Sequence, residues 1–248
     1  MILKNKKALN IILMIISGIL FLGATAILVI QLIPKKNTYK KYKDSVSSAQ
    51  KADNPVNFAQ LKNQNPDVVG WITIPGTTID YPILQSGDDT EENFYLNHDL
   101  ERKYKFAGSV YIQRCNNSEF KDKNTVIYGH DLADGTMFTP LRKYRKADFF
   151  NENDTITLYS PGHILTYKIF SAFVYDDRHI INSFDFSTEE GYSDFLEECT
   201  NPKTLAKNVR SDISVTTKDK IITLSTCTDN PTERYLVCAV LTNDTQTK

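Results

Sequence analysis

The chain has no glycine-rich phosphate loop. Neither Gly-x-x-x-x-Gly-Lys-Ser/Thr nor Gly-x-Gly-x-x-Gly occurs in its 248 residues, so nucleotide and dinucleotide sites are unsupported. It also lacks a basic excess. Its 29 Lys and Arg against 30 Asp and Glu leave a net charge of −1, too little to follow a phosphate backbone, and no nucleic-acid partner is expected. Histidine is scarce at four residues, with no Cys-x-x-Cys and no His-x-x-x-His pair, so neither a metal site nor a cofactor is expected. There is no internal repeat and no low-complexity tract, which excludes a solenoid.

One long apolar run is present. Ala8 to Ile33 carries no charge and exceeds the roughly 20 residues that a helix needs to cross a bilayer. It reads as a transmembrane signal-anchor. Ala24-Thr-Ala26 has the small-x-small form of a cleavage site, but the apolar run continues to Ile33, where a mature end should be polar. Lys35, Lys36, Lys40, Lys41 and Lys43 outnumber Lys4, Lys6 and Lys7, so local charge leaves the orientation undecided. Residues 34–53, rich in lysine and serine, read as a stalk. Residues 54–248 are long enough for one domain, and the chain's 13 Tyr and 13 Phe supply a sizeable core.

From Asn54 the pattern predicts short strands with interspersed helices. Asn54-Pro55 reads as a cap and first turn for a helix to about Asn63, with Phe58 and Leu61 on its buried face. Strands are expected over 68–74 and 78–84 around Pro75-Gly76, then 109–112 and 125–128. Pro82 marks its strand as an edge or irregular. Residues 138–150 have helical spacing, and 155–159 with 164–175 form a hairpin about Ser160-Pro-Gly162. Ser187 is the expected cap of a helix to Cys199. This order implies a mainly-β, barrel-like domain rather than βαβ units.

The chemistry centres on Cys227, where the run Lys220-Ile-Ile-Thr-Leu-Ser-Thr-Cys227 ends. A proline-containing loop comes next, and Arg234 opens the following strand-like run, so a hairpin brings a thiol and a permanent cation to one rim. Without the cysteine, Arg234 reads as a surface residue paired with Glu233 or Asp229. Alternation places Ile221, Thr223, Ser225 and Cys227 on one face, which suits a groove floor, and Ile222, Leu224 and Thr226 on the other. His130 ends another β-branched run, Asn124-Thr-Val-Ile-Tyr-Gly-His130, where Gly129 allows a tight turn that aims the ring. A cysteine nucleophile works with a histidine distant in sequence and adjacent in the fold, although a plain loop histidine fits the spacing as well. His163 reads as a hairpin-tip residue and His98 as part of a loop or short helix. Two disulfides are open to four cysteines in an exported domain. If Cys227 is a thiolate, one of Cys115, Cys199 and Cys238 must be free, and Cys199 and Cys238 read as small buried apolar residues.

Thr223-Leu-Ser-Thr-Cys227 with Arg234 on the next strand and Tyr128-Gly-His130 upstream resembles the sortases. Val69-Gly-Trp-Ile-Thr-Ile-Pro-Gly76, Asp80-Tyr-Pro-Ile83, Asn93-Phe-Tyr-Leu-Asn-His98 and Asp134-Gly-Thr-Met-Phe138 narrow the resemblance to class B, over about residues 55–242. The resemblance implies a closed eight-stranded β-barrel with added helices on the outside of a Gram-positive cell. Residues 1–7 would be a cytoplasmic tail, 8–33 the anchor, 34–53 the stalk and 54–248 the catalytic domain. It implies a cysteine transpeptidase that cleaves a C-terminal sorting signal of secreted surface proteins and passes them to an amine of the peptidoglycan precursor. Cys227 would be the nucleophile, His130 the general acid and base, and Arg234 the oxyanion or substrate clamp. Leu96, Ile180, Ser225 and Thr226 would bind substrate, with 176–200 as a groove wall. Two alternatives remain open: a cysteine peptidase hydrolysing similar peptides, and a membrane-tethered surface module without catalysis.

Overall fold

The structure, a computed structural model, describes residues 54–247. The expected membrane anchor and stalk lie outside them. Nine strands run in chain order: β1 (Val68–Thr73), β2 (Asp80–Gln85), β3 (Val110–Ile112), β4 (Asn124–Tyr128), β5 (Thr155–Ser160), β6 (His163–Asp176), β7 (Lys207–Val209), β8 (Ile221–Cys227) and β9 (Glu233–Gln246). Their order in the sheet is β5-β1-β2-β3-β4-β8-β9-β6-β7, and a further β5–β6 pairing closes eight of them into a barrel. The ninth, β7, is appended to β6.

Closure turns on β6. Its first half, from His163 to Lys168, pairs with β5, and Ser171 to Phe173 pair with β7. Register shifts against β9 fall at Thr166/Tyr167, within the β5-paired stretch, and at Ile169/Ser171, where β6 passes from β5 to β7. Bulges of this kind bend a strand and raise its twist, which lets a long strand change neighbours. Pro82 does not mark an edge: β2 lies inside the ring. Its pairing with β3 begins only at Ile83, so the prolyl nitrogen precedes that ladder.

Two apolar clusters sandwich the central strands. Ile222, Leu224, Ile127, Val237 and Ala239 belong to the barrel cluster, together with Phe138, Leu141 and Tyr144. Their alternates Ile221, Val126, Leu236, Cys238 and Val240 meet Tyr192, Phe195, Leu196 and Cys199 of a covering helix (Glu189–Thr200). Each such large side chain contributes about 1.5–3 kcal/mol on burial.

The helices form where expected, with different ends. The first, α1 (Phe58–Gln64), buries Phe58 and Leu61, but Asn57 caps it by accepting from Gln60 N at 3.0 Å. Asn54 instead donates to Ser160 O and fastens this end of the chain to the β5–β6 turn. Residues 138–150 divide into a 3-10 helix (Thr139–Arg145) and α2 (Ala147–Glu152), because Lys146 is extended. After β6 come α3 (Ile180–Ser183) and the covering helix, α4, whose cap is Thr188 rather than Ser187. Among the described residues no helix is long and apolar enough to cross a membrane.

Candidate active site

Cys227 is the last residue of β8, and its register partner on β9 is Arg234. The connecting loop is stapled by its own polar side chains. Thr228 Oγ1 donates to Asn230 O at 3.0 Å and accepts from Asn230 N at 3.1 Å, a local turn that gives Thr228 its role. Arg234 Nη1 donates to Pro231 O at 3.0 Å and Glu233 O at 2.8 Å. Its remaining guanidinium donors have no hydrogen-bond partner among the described residues, so they stay available at the rim. The thiol of Cys227 is exposed.

His130 arrives on a neighbouring strand. β4 and β8 are parallel, with Tyr128 opposite Ser225, and Gly129 N continues the ladder by donating to Ser225 O at 3.2 Å. His130 stands two residues past Tyr128, beyond the end of β4, and Cys227 two residues past Ser225 at the end of β8, so both lie at the rim where the two parallel strands end. The ring is held from two sides. Its Nε2 contacts Leu96 O at 2.7 Å, and Phe106 stacks on it at 5.9 Å. With Nε2–H donating to that carbonyl, Nδ1 is the nitrogen left to exchange a proton. Gly129 is required for space and not for a turn. A Cβ there would lie 2.6 Å from Phe138 Cγ, and its φ is not positive.

Beneath the thiol, Tyr111 of β3 and Tyr128 of β4 stack with ring centroids 5.4 Å apart. Burial raises both hydroxyls well above the ordinary tyrosine value, and at Tyr111 the nearby Cys227 charge adds to it. Both therefore remain protonated beside the site. Sequence reasoning missed Tyr111, Phe106 and the Leu96 carbonyl. The last is a main-chain group, which no residue type announces.

The four substrate-binding candidates are placed differently from one another. Leu96, at the end of a 3-10 helix (Phe94–Leu96), is 42% exposed beside His130. Ile180 starts α3 and is buried in the covering cluster. Ser225 is buried on the Cys227 face, and Thr226 is buried on the opposite, barrel-facing side. The hydroxyl-bearing face is thus no open groove floor along its length. Thr223 Oγ1 donates to Asn124 Oδ1 at 2.9 Å, the covering cluster closes over Ile221 and Leu236, and only the Cys227 end is open.

The other histidines are engaged elsewhere. His98 stacks on Phe94, His163 pairs with Asp244 at the hairpin tip, and His179 meets Gln113 Oε1 at 2.7 Å. Cys199 and Cys238 are buried free thiols with sulfurs 3.6 Å apart, as their reading as small apolar residues expects. Cys115 is also free, and desolvation of its sulfur pushes its thiol up. Among the described residues no group of His, Cys, Asp or Glu is arranged to hold a metal ion.

The sortase-domain family model matches residues 72–242. Sortase B of Staphylococcus aureus is 35% identical over 185 residues, which span 73% of this chain and 73% of that protein. Sortase B of Listeria monocytogenes is 40% identical over 170 residues, 67% of this chain and 65% of that protein. The solved Staphylococcus aureus sortase B–substrate complex aligns with a TM-score of 0.70 at 32% identity, over 84% of this chain and 94% of that one. With the match running from β1 into β9, this chain belongs to the sortase family of cysteine transpeptidases, in class B.

Proposed function

We propose that the chain is a membrane-anchored sortase that attaches secreted proteins to the cell wall through Cys227. The observation that carries this reading is the register of three strands: Cys227 opposite Arg234 on β9 and alongside His130 beyond β4. In this scheme the Cys227 thiolate attacks the carbonyl at the scissile bond of a C-terminal sorting signal. Arg234 donates to the developing oxyanion. His130 gives its proton to the departing amine as the C–N bond breaks, which leaves a thioester on Cys227. An amine of the peptidoglycan precursor then attacks that thioester, His130 takes the proton back, and Cys227 leaves as thiolate.

Leu96, exposed next to the imidazole, is the side chain best placed to touch a bound peptide. Ile180, Ser225 and Thr226, all buried, would contribute through the shape and backbone of the groove. Residues 8–33 would hold the enzyme at the membrane with residues 1–7 inside and 54–248 outside, on a stalk at 34–53. The charge-free length of 8–33 supports the span, and the orientation rests on the family resemblance.

The test is to incubate the purified full-length chain with a sorting-signal peptide, with and without an amine acceptor, and to identify products by mass. An amine adduct that disappears in Cys227→Ala is expected. Free acid as the sole product at every acceptor concentration would make the chain a hydrolytic peptidase. Turnover that survives Cys227→Ala would remove the nucleophile assignment.

A further inference from the structure

Arg142 sits in Leu141-Arg-Lys-Tyr-Arg-Lys146, where its sequence neighbours give no reason to prefer it to the adjacent cations. Its surroundings do. Its Nε donates to Asp131 Oδ2 at 2.5 Å, and its Nη2 donates to Asp229 Oδ1 at 2.7 Å. Asp131 directly follows His130, and Asp229 lies two residues beyond Cys227. One guanidinium on the 3-10 helix therefore joins the segment that carries the imidazole to the loop between the thiol and Arg234. Arg102 likewise meets two carboxylates, Asp67 and Asp89, but neither of those adjoins His130 or Cys227 in sequence.

The ladder explains why such a link matters. β4 and β8 are hydrogen-bonded up to Gly129, and beyond it neither His130 nor Cys227 has a cross-strand bond to the other segment. Proton exchange between them needs heavy atoms within about 2.6–3.2 Å, directly or through one water. Cys227 is held by its β9 partner Arg234, and His130 by Phe138 N and the Leu96 carbonyl, so no direct bond between the two segments sets their mutual spacing. Asp131 is suited to anchor one side: its side chain is 3% exposed, and Oδ1 has no partner among the described residues, so Arg142 is its counter-charge. Asp229 is 80% exposed and bonds to Arg142 alone, so this contact ties the self-stapled loop to the segment that carries His130.

We propose that Arg142 is a positioning residue for transpeptidation, setting the spacing between His130 and the Cys227–Arg234 hairpin through Asp131 and Asp229. The inference rests on Cys227 and His130 being the reacting pair. An exposed ion pair contributes little stability, so the Asp229 arm acts on rate far more than on folding. The planar fork reaches two carboxylates at fixed angles, and a lysine ammonium does not reproduce it.

Asp229→Ala and Arg142→Lys are the informative variants. Asp229→Ala keeps the Arg142–Asp131 pair and severs only the link to the hairpin. Arg142→Gln leaves Asp131 without its cation and also loosens the fold. In the full-length chain, Asp229→Ala is expected to lower kcat about tenfold, since displacements near 1 Å remove up to about 10²-fold. KM should stay within about twofold and the melting temperature unchanged, because a peptide groove and a core are not disturbed by an exposed ion pair. Arg142→Lys should lose a similar factor, and the double variant should be no slower than Arg142→Lys, because both changes break one contact. The pH profile of Cys227 alkylation by iodoacetamide should change in both variants, which a merely structural role would not cause. Unchanged kcat in both single variants, or losses that multiply in the double variant, would overturn the role of Arg142. Turnover that persists in Cys227→Ala would overturn it together with the reading beneath it, and the Cys227→Ala control tells the two failures apart.

Discussion

Gly129→Ala is the substitution for which the structure gives a direct magnitude. A methyl group at this position would stand 2.6 Å from Phe138 Cγ and 2.7 Å from Cδ2, against about 3.5–4.0 Å for a relaxed carbon contact. The ring has nowhere to go. Phe138 is fully buried in the barrel cluster, and its N–H is bonded to His130 O at 2.9 Å. Its neighbour Met137 already holds a positive φ of 55°, so the backbone there has little slack. Overpacking of this kind costs about 1–3 kcal/mol. At about 2–4 °C per kcal/mol for a domain of this size, the melting temperature should fall by roughly 2–12 °C. Because strain relieved by moving residue 129 also moves His130, kcat should fall by about tenfold or more as the imidazole leaves its proton-transfer position. Calorimetry and steady-state peptide cleavage on the same preparation measure both effects. Phe138→Leu frees space on the ring side, so Gly129→Ala combined with Phe138→Leu should be less destabilised than the sum of the two single changes. Wild-type melting temperature and kcat in Gly129→Ala would refute the reasoning. Strict additivity in the double variant would locate the clash somewhere other than Phe138.

Further outcomes are expected at the same site and beside it. Arg234→Ala should lower turnover by about 10²–10³-fold, as loss of an oxyanion donor does. Its bonds are confined to its own loop, so parallel losses of melting temperature and activity would instead identify a structural arginine. His130→Ala should leave Cys227 in place but unable to expel the amine, and near-normal single-turnover acylation would count against the general-acid role. In the native protein iodoacetamide should label exposed Cys227 before Cys115, whose thiol is pushed up, and should reach buried Cys199 and Cys238 only on unfolding; early labelling of Cys199 would contradict its burial. Arg178 holds the Asp176 carboxyl below its ordinary value, so the stability from this pair is present above the unfolded carboxylate pKa of about 3.9 and is lost as pH falls through the lower folded value. Hydrogen exchange over 177–186 should therefore accelerate in strong acid, and Asp176→Asn should weaken that dependence; an unchanged acid response in the variant would remove Asp176 from the account.

What could be read from the sequence was local. The hairpin at Ser160-Pro-Gly162 is marked by a turn whose Gly162 takes a φ of 82°, and the Cys227–Arg234 hairpin by two β-branched runs around a polar loop. Strand alternation sorted residues 221–227 correctly into two faces, because period two is a property of the backbone itself. It misjudged what covers one of them. Thr223 and Ser225 look like groove hydroxyls in a strand taken alone, yet α4, which precedes β8 by some twenty residues, packs its aromatic side chains across that face. Caps slipped for a related reason. Asn54 and Asn57 are equally good caps by residue type, and the choice was made by a tertiary bond from Asn54 to Ser160 O.

The position of the site is set by the direction of its strands. Antiparallel neighbours bring the end of one strand to the start of the next, and so Cys227 meets Arg234 across a short loop. Parallel neighbours bring two ends together, and so the ends of β4 and β8 deliver His130 and Cys227 to the same rim. A central strand with one neighbour of each kind is what brings an imidazole, a thiol and a guanidinium from three strands to one rim. Parallel pairing needs a long crossover, supplied here by everything between β4 and β8, including β5, β6 and α4. Hence Cys227 and Arg234 are legible as a local motif, and His130 is recognisable only as the residue beyond a second run that ends in the same way. The β4–β8 ladder ends at Gly129, and beyond it the two segments share no direct backbone bond. In that gap the Leu96 carbonyl orients the ring and Arg142 spans from Asp131 to Asp229.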